Sequence, residues 1–342
     1  MVLFGSLSKE NSVNDRRIKW YRTAIEKEKL ADLNRRSDLH GFLQCGSLLL
    51  LGALTGFGCY AAYQTGIWYW ILAAFFVHGT LISFFGPPAA IHELSHGTPF
   101  KTKFWNELFF RIFGFLSWTN IIFFRTSHPQ HHQLTLHKGR DLEIVLPLKV
   151  RSVDVLYWLT FNPFYAFQQL KTHLRHSRGT IQGEWESRIF PESDPANRIA
   201  LFSWARTLIL GHLALAALFI ATGHWILIPI VQFPFYASWL ANLCGFPQHA
   251  GLKSDIDDFR YLCRTMILSP VPAWLYWNMN YHTEHHMYPV VPFWNLPKLH
   301  RLIRHDMPMP NKGLISAWKE ILRIQKRQKT EPDYTFDQFE RK

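Results

Sequence analysis

The sequence predicts an all-α integral membrane protein: four transmembrane helices in two hairpins, with a cytosolic helical cap that carries clustered histidines. Three observations predict it. Four segments are each long and apolar enough to cross a bilayer, which takes about 20 residues. They fall into two pairs, each joined by a connection of only two or three residues. The cations and the histidine clusters all lie outside those connections.

The first span runs from about Phe42 to Tyr63 and the second from about Ile67 to Phe85, joined by Gln64 to Gly66. The third runs from about Ala205 to Thr222 and the fourth from about Trp225 to Leu243, joined by Gly223 and His224. Joints this short make helical hairpins, whose two ends return to one side. Residues 1–41, 87–204 and 245–342 then share that side with Arg16, Arg17, Lys19, Lys101, Lys103, Arg111, Arg125 and Arg151. By the positive-inside rule it is the cytoplasm. Two more apolar stretches, FWNELFFRIFGFLSWTNIIFF and LYWLTFNPFYAF, are broken by charge, Asn or Pro and read as helices in the interface. Residues 1–39 read as a basic, amphipathic cytosolic segment, 40–310 as the membrane domain and 311–342 as a polar tail.

Composition supports this. Of 342 residues, 16% are aromatic and only 18% charged, with 14 Trp and 28 Phe, which argues against a soluble enzyme. The net charge of +12 suits nucleic acid or an anionic membrane surface. The apolar runs select the membrane and exclude nucleic acid as the partner. Cys45, Cys59, Cys244 and Cys263 show neither metal spacing nor a disulfide framework and read as packing residues. The amino terminus turns polar too early for a signal peptide.

Eight of the 18 histidines fall into three clusters, all on the cytoplasmic side. His92 and His96 lie just beyond the second span; HPQHH supplies His128, His131 and His132; HTEHH supplies His282, His285 and His286. The i, i+3, i+4 spacing puts three imidazoles on one helical face. HELSH alone fits a zinc protease, with Glu93 as general base. Such an enzyme needs a third protein ligand, and the only nearby carboxylate, Glu107, sits in an aromatic stretch. Eight imidazoles exceed what one zinc uses and are enough for two metals at about four or five ligands each. Neutral nitrogen donors suit iron. His137 reads as part of a solvated polar loop, and His173 with His176 as a basic face toward lipid head groups or a donor protein. His78 reads as hydrogen-bonded between helices, and His40, His212, His224, His300 and His305 as packing or interface residues.

With their flanks, HELSHGTPF, RTSHPQHH and NYHTEHHMYPVVPFWNLPKLH resemble the three boxes of the membrane fatty-acid desaturase and hydroxylase superfamily. The resemblance covers roughly residues 40 to 310. It implies two iron ions held by His92, His96, His128, His131, His132, His282, His285 and His286. In that superfamily a further histidine beyond the last span completes the metal shell, and His249 stands in its place. Some members carry an Asn four residues before that histidine; here the position is Gly245, and the nearest Asn is Asn242. Glu93 then becomes an acceptor for the N–H of another ligand imidazole, or a stabiliser of the cationic centre.

A di-iron centre with O2 oxidises unactivated methylene groups, so the resemblance implies desaturation of a fatty-acid or acyl-lipid chain. The same ligand set serves a hydroxylase or ketolase acting on an alkane, terpenoid, carotenoid or pathway-specific metabolite. A non-catalytic lipid-sensing membrane protein is the remote alternative. The basic surface around Lys101, Lys103, Arg111 and Arg125 suits a lipid phosphate. The chain has no Rossmann glycine pattern, flavin motif, four-Cys cluster or HPGG-like haem motif. A separate ferredoxin or cytochrome b5, with its reductase, is therefore the expected electron donor. The expected location is the endoplasmic reticulum of a eukaryote or the inner membrane of a bacterium.

Overall fold

The computed structural model describes residues 18–341, whose regular elements are all helices, with isolated bridges and no strand. A short α1 (Lys27–Leu33) leads into α2 (Asp38–Gln64), capped by the Ser37 hydroxyl. At about 1.5 Å per residue, the 27 residues of α2 exceed the hydrocarbon core of a bilayer. Gly66, at φ +68°, turns the chain into α3 (Trp68–Ile82), which runs back along α2. His78 fastens the pair: its Nδ1 lies 2.7 Å from the Thr55 hydroxyl and its Nε2 2.9 Å from the Ile230 carbonyl oxygen. After Gly86, Pro87 and Pro88 comes α4 (Ala90–His96), ended by Gly97 in the left-handed region.

Next, α5 (Lys103–Leu116) and α6 (Ile121–Leu134) meet at 106°. The Asn120 side chain caps α6 by accepting from the Ile122 and Phe123 amides. Three further helices follow: α7 (Ser152–Leu159), α8 (Pro163–Ser177) and α9 (Glu184–Ile189). The third long helix, α10 (Pro195–Ala221), starts ten residues before the expected span. Among the described residues, Lys27–Gln64, Trp68–His96 and Pro195–Ala221 are long and apolar enough to cross a membrane, and α5 with α6 qualifies as one broken span. Leu50, Phe57, Trp68, Trp70, Leu210 and Ile220 on these helices stay exposed, as lipid-facing residues do.

The fourth expected span, Trp225 to Leu243, is not one helix. It is α11 (Leu227–Gln232), a non-helical stretch, and α12 (Trp239–Gly245). Pro234 has no N–H for the Ile230 carbonyl and biases Phe233 away from helix. His78 supplies the missing donor to Ile230. The chain then runs extended beside residues 160–162, with Asn162 N donating to Phe235 O at 2.9 Å.

The remaining helices build the cap: α13 (Phe259–Leu262), α14 (Pro270–Leu275), α15 (His282–Met287), α16 (Leu296–Ile303) and α17 (Gly313–Arg327). Of the amino-terminal segment, residues 1–17 lie outside the described residues. From there the chain is anchored: Trp20 stacks on Phe259 at 4.0 Å and the Thr23 hydroxyl donates to Asp306 at 2.7 Å. Residues 313–341, set apart in the sequence as a polar tail, fold back onto the cap: Trp318 donates to Leu243 O, and Phe336 N donates to Gly251 O.

Candidate metal centre

Three helices bring the histidine boxes together: α4 carries His92 and His96, α6 carries His128, His131 and His132, and α15 carries His282, His285 and His286. His249 comes from the loop after the 3-10 turn Phe246–Gln248. All but His96 are buried, and His96 is partly so.

The boxes divide between two clusters. Donor atoms of His92, His96, His128, His132 and His285 all lie within 4.8 Å of one another, as do those of His249, Cys263, His282 and His286. The His131 ring is 5.1 Å from both the His249 and His286 rings, on the second cluster's side. The expected single face of three imidazoles is thus split. At 3.6 residues per turn, i+3 falls about 60° to one side of i and i+4 about 40° to the other. So His128 and His132 enter the first cluster and His131 faces the second, while His282 and His286 enter the second and His285 the first.

Within each cluster the Nε2 atoms converge. His92 Nε2 is 2.8 Å from His285 Nε2 and 3.1 Å from His128 Nε2, which is itself 3.0 Å from His132 Nε2. His282 Nε2 is 2.9 Å from His249 Nε2 and 3.1 Å from His286 Nε2. An imidazole nitrogen carries one proton or one lone pair, so a nitrogen with two such neighbours cannot be hydrogen-bonded to both. Nitrogens bound at right angles, each about 2.1 Å from a common cation, are about 3.0 Å apart. The spacing fits two metal ions. The buried His96 Nε2, with no hydrogen-bond partner, fits the same reading.

Outer groups fix the rings. His128 Nδ1 lies 2.9 Å from Glu143 Oε1, and Glu143 also accepts from the Ser127 hydroxyl. His131 Nδ1 lies 2.8 Å from Asp141 Oδ2, which accepts the Leu136 amide at 2.9 Å. His249 Nδ1 donates to the Leu262 carbonyl at 2.9 Å, and His286 Nδ1 is 3.2 Å from the Thr135 hydroxyl. Glu93, expected to accept from a ligand imidazole, is the exception: its Oε1 stands 3.6 Å from His285 Nδ1, beyond hydrogen-bond reach, and its Oε2 accepts from the Thr98 hydroxyl. Such partners set the tautomer that leaves Nε2 free for a metal. Burial pushes His282, His285 and His286 well below the ordinary histidine range and His249 down to about 3, so these donors are neutral at physiological pH. Burial by itself would raise the Asp141 carboxyl, but His131 and the Leu136 and Ile144 amides hold it below the ordinary range.

Sequence reasoning missed Asp141 and Glu143 as partners of the second box, and Glu284 with His300. The Glu284 carboxylate sits between two histidines of the third box and is 2.5 Å from His300 Nδ1. A carboxylate pair close behind a histidine box was the available signal. Three other readings change. His137 is buried, 3.1 Å from Asp257 Oδ1. His173 and His176 are buried too, the first 2.8 Å from the Trp118 carbonyl and the second 3.3 Å from Glu186. Neither can face lipid head groups. Arg125 is engaged by Glu107 through both carboxylate oxygens. His78 is held between helices as expected.

Comparison with known proteins agrees with this geometry. The family model described as Fatty acid desaturase matches residues 65–318. The chain is similar to a sphingolipid delta(4)-desaturase DES1 of Drosophila melanogaster, 23% identical over 75% of this chain and 72% of that protein. It is 25% identical to a putative sphingolipid delta(4)-desaturase/C4-monooxygenase of Caenorhabditis elegans, over 67% of this chain and 57% of that one. The Rattus norvegicus sphingolipid delta(4)-desaturase DES1 is also 25% identical, over 69% and 66%. The match takes in all three histidine boxes and His249, and the chain belongs to the fatty acid desaturase family of oxidoreductases.

Proposed function

We propose that the two histidine clusters hold two irons and that the enzyme uses O2 and two externally supplied electrons to desaturate an acyl-lipid chain. The observation that carries this is the convergence of Nε2 atoms into two groups, with neighbouring nitrogens 2.8 to 3.1 Å apart within each. When bound, a di-iron centre supplies the oxidising power that side-chain acids and bases lack. The chain's own residues do the rest. Nine imidazoles hold the ions, His92, His96, His128, His132 and His285 on one side and His131, His249, His282 and His286 on the other. Glu143, Asp141 and the Leu262 carbonyl orient three of those rings. Near-complete burial excludes water from the reacting position.

The substrate is a lipid, as in the sphingolipid desaturases the chain is similar to. An apolar cavity of about 560 Å³, lined by Gly52, Gly56, Phe57, Ile82, Phe85 and Ile230, offers room for hydrocarbon. Hydroxylation is the second reading, favoured by the double name of the Caenorhabditis elegans relative. The electron donor is a separate ferredoxin or cytochrome b5 with its reductase, and the exposed Lys298 and Arg301 on α16, with Arg304 just after it, suit an acidic one.

The membrane is crossed four times, by α2, α3, α10 and the broken segment 225–245, with the histidine clusters on the cytosolic side. Cysteines placed at the exposed positions Gln64 and His224 are expected to label only from outside intact cells, and one at Lys171 only after permeabilisation. Outside labelling at 171 overturns this topology. For the metal centre itself, elemental analysis of protein loaded with iron under reducing conditions is expected to give two irons per chain. One iron per chain at saturation, or none, overturns the di-iron reading.

A further inference from the structure

The second cluster depends on a loop that no helix fixes. His249 follows a single 3-10 turn, and the chain then wanders from Ala250 to Asp258 before α13. Residues 136–138 and Tyr21 hold its far end, at Asp255 and Asp257, and the carboxy-terminal segment holds the part around His249. Arg264, 0% exposed, donates to the Pro247 carbonyl and, at 3.0 Å, to the Ala250 carbonyl, on either side of His249. Its buried charge is balanced by Glu320, whose Oε1 lies 3.1 Å from Nε and 3.0 Å from Nη2 of Arg264. Arg341 closes the group, with its Nε 2.8 Å and its Nη2 3.0 Å from the two Glu320 oxygens. Gln338 donates to the Cys263 carbonyl at 2.6 Å and the Arg260 carbonyl at 2.9 Å, and the Phe336 amide donates to Gly251 O at 2.9 Å.

Both arms of the loop, 247–251 and 260–264, are therefore gripped from residues 320–341. No hydrogen bond among the described residues joins 320–341 to α4, α6 or α15, which carry all five donors of the first cluster. Glu320, Phe336, Gln338 and Arg341 also lie beyond residue 318, where the family match ends.

We propose that residues 320–341 are a positioning clasp for the second metal ion alone: Arg264, locked by Glu320 and Arg341, holds His249 in ligating position. This rests on the di-iron reading above. With the clasp opened, His249 is free to swing out, while the first cluster keeps its five histidines. Without Arg341, Glu320 keeps its charge beside Arg264 but loses the guanidinium that fixes both of its oxygens.

The test uses the full chain in detergent, loaded with iron, with iron per chain and the electron paramagnetic resonance spectrum of the oxidised form as readouts. Wild type is measured first: two irons and a spin-coupled, silent spectrum are the baseline, and their absence counts against the di-iron reading, not the clasp. The double variant Gln338→Ala with Arg341→Ala is expected to fall to one iron per chain and to show the high-spin ferric signal of an isolated ion. Arg341→Lys, keeping the charge, is expected to recover part of the second iron. Arg323→Ala, exposed on α17 and party to none of the bonds that grip the loop, is expected to keep both. Should the double variant not fold, Gln338→Ala alone removes the bonds to the Arg260 and Cys263 carbonyls and the 3.3 Å bond accepted from Arg341, and reads the same ratio. Two coupled irons in the double variant (or in Gln338→Ala, where the double variant does not fold), or loss of both irons together, overturns the proposal.

Discussion

His285→Ala is expected to abolish lipid oxidation and to remove iron from the first cluster. His285 is the one histidine of the third box whose Nε2 meets the first box, 2.8 Å from His92 Nε2, so its loss opens the contact between α15 and α4. Nothing nearby replaces it: Glu93 stands behind the ring, on the Nδ1 side. Water in the space left by the imidazole is a different donor on a different arc. The loss of turnover should exceed the roughly 100-fold that follows removal of an orienting partner. Product formation from lipid with a reduced donor protein, beside iron content of the same preparation, checks this. Full activity with both irons retained contradicts the ligand role of this box.

Asp141→Asn is expected to lower turnover by about 10- to 100-fold, the range for loss of an orienting partner of a metal-bound histidine. The substitution keeps shape and volume, so packing is not the variable. Asp141 Oδ2 receives His131 Nδ1 and the Leu136 amide, and Oδ1 receives the amides of Glu143 and Ile144 at 3.1 and 3.3 Å. With donors on both oxygens, an amide must turn its NH2 toward one pair whichever way it sits. His131 then loses its fixed tautomer, or the 136–144 loop loses its closure. The measurement is kcat with lipid, together with iron affinity by competition with a chelator. Unchanged values in both show that Asp141 serves only the loop.

The three histidine boxes were legible because a metal-binding helix must repeat its ligands at fixed spacing, and that spacing survives as text. Their division between two clusters was not, since i, i+3, i+4 names one face only when a single ion defines it. His131 and His285 are the residues that show the difference. The first three spans were legible from hydropathy. The fourth was overextended because hydropathy gives little weight to Pro234, whose missing N–H ends α11 and leaves Ile230 O to His78. His173 and His176 were misplaced by their neighbours: Lys171, Arg175 and Arg178 suggested an exposed basic face, but these two imidazoles turn inward to Trp118 and Glu186. The carboxy-terminal stretch read as a tail because polar residues dominate it. Its work is done by Glu320, Gln338 and Arg341, whose partners lie about 75 or more residues away along the chain for Gln338 and 56 for the Glu320 contact to Arg264. No local pattern announces such contacts.

The most direct test of the account is mass spectrometry of the lipid product made under isotopically heavy dioxygen. Purified iron-loaded protein, in vesicles of membrane lipid, is given a reduced donor protein and the labelled gas. The account predicts a lipid lighter by two hydrogens and free of heavy oxygen, with the label recovered in water. A lipid that carries the heavy atom would instead make this chain a hydroxylase. An unchanged lipid, with no dioxygen consumed by the fully iron-loaded protein, would contradict the assignment of these histidines to oxidative chemistry.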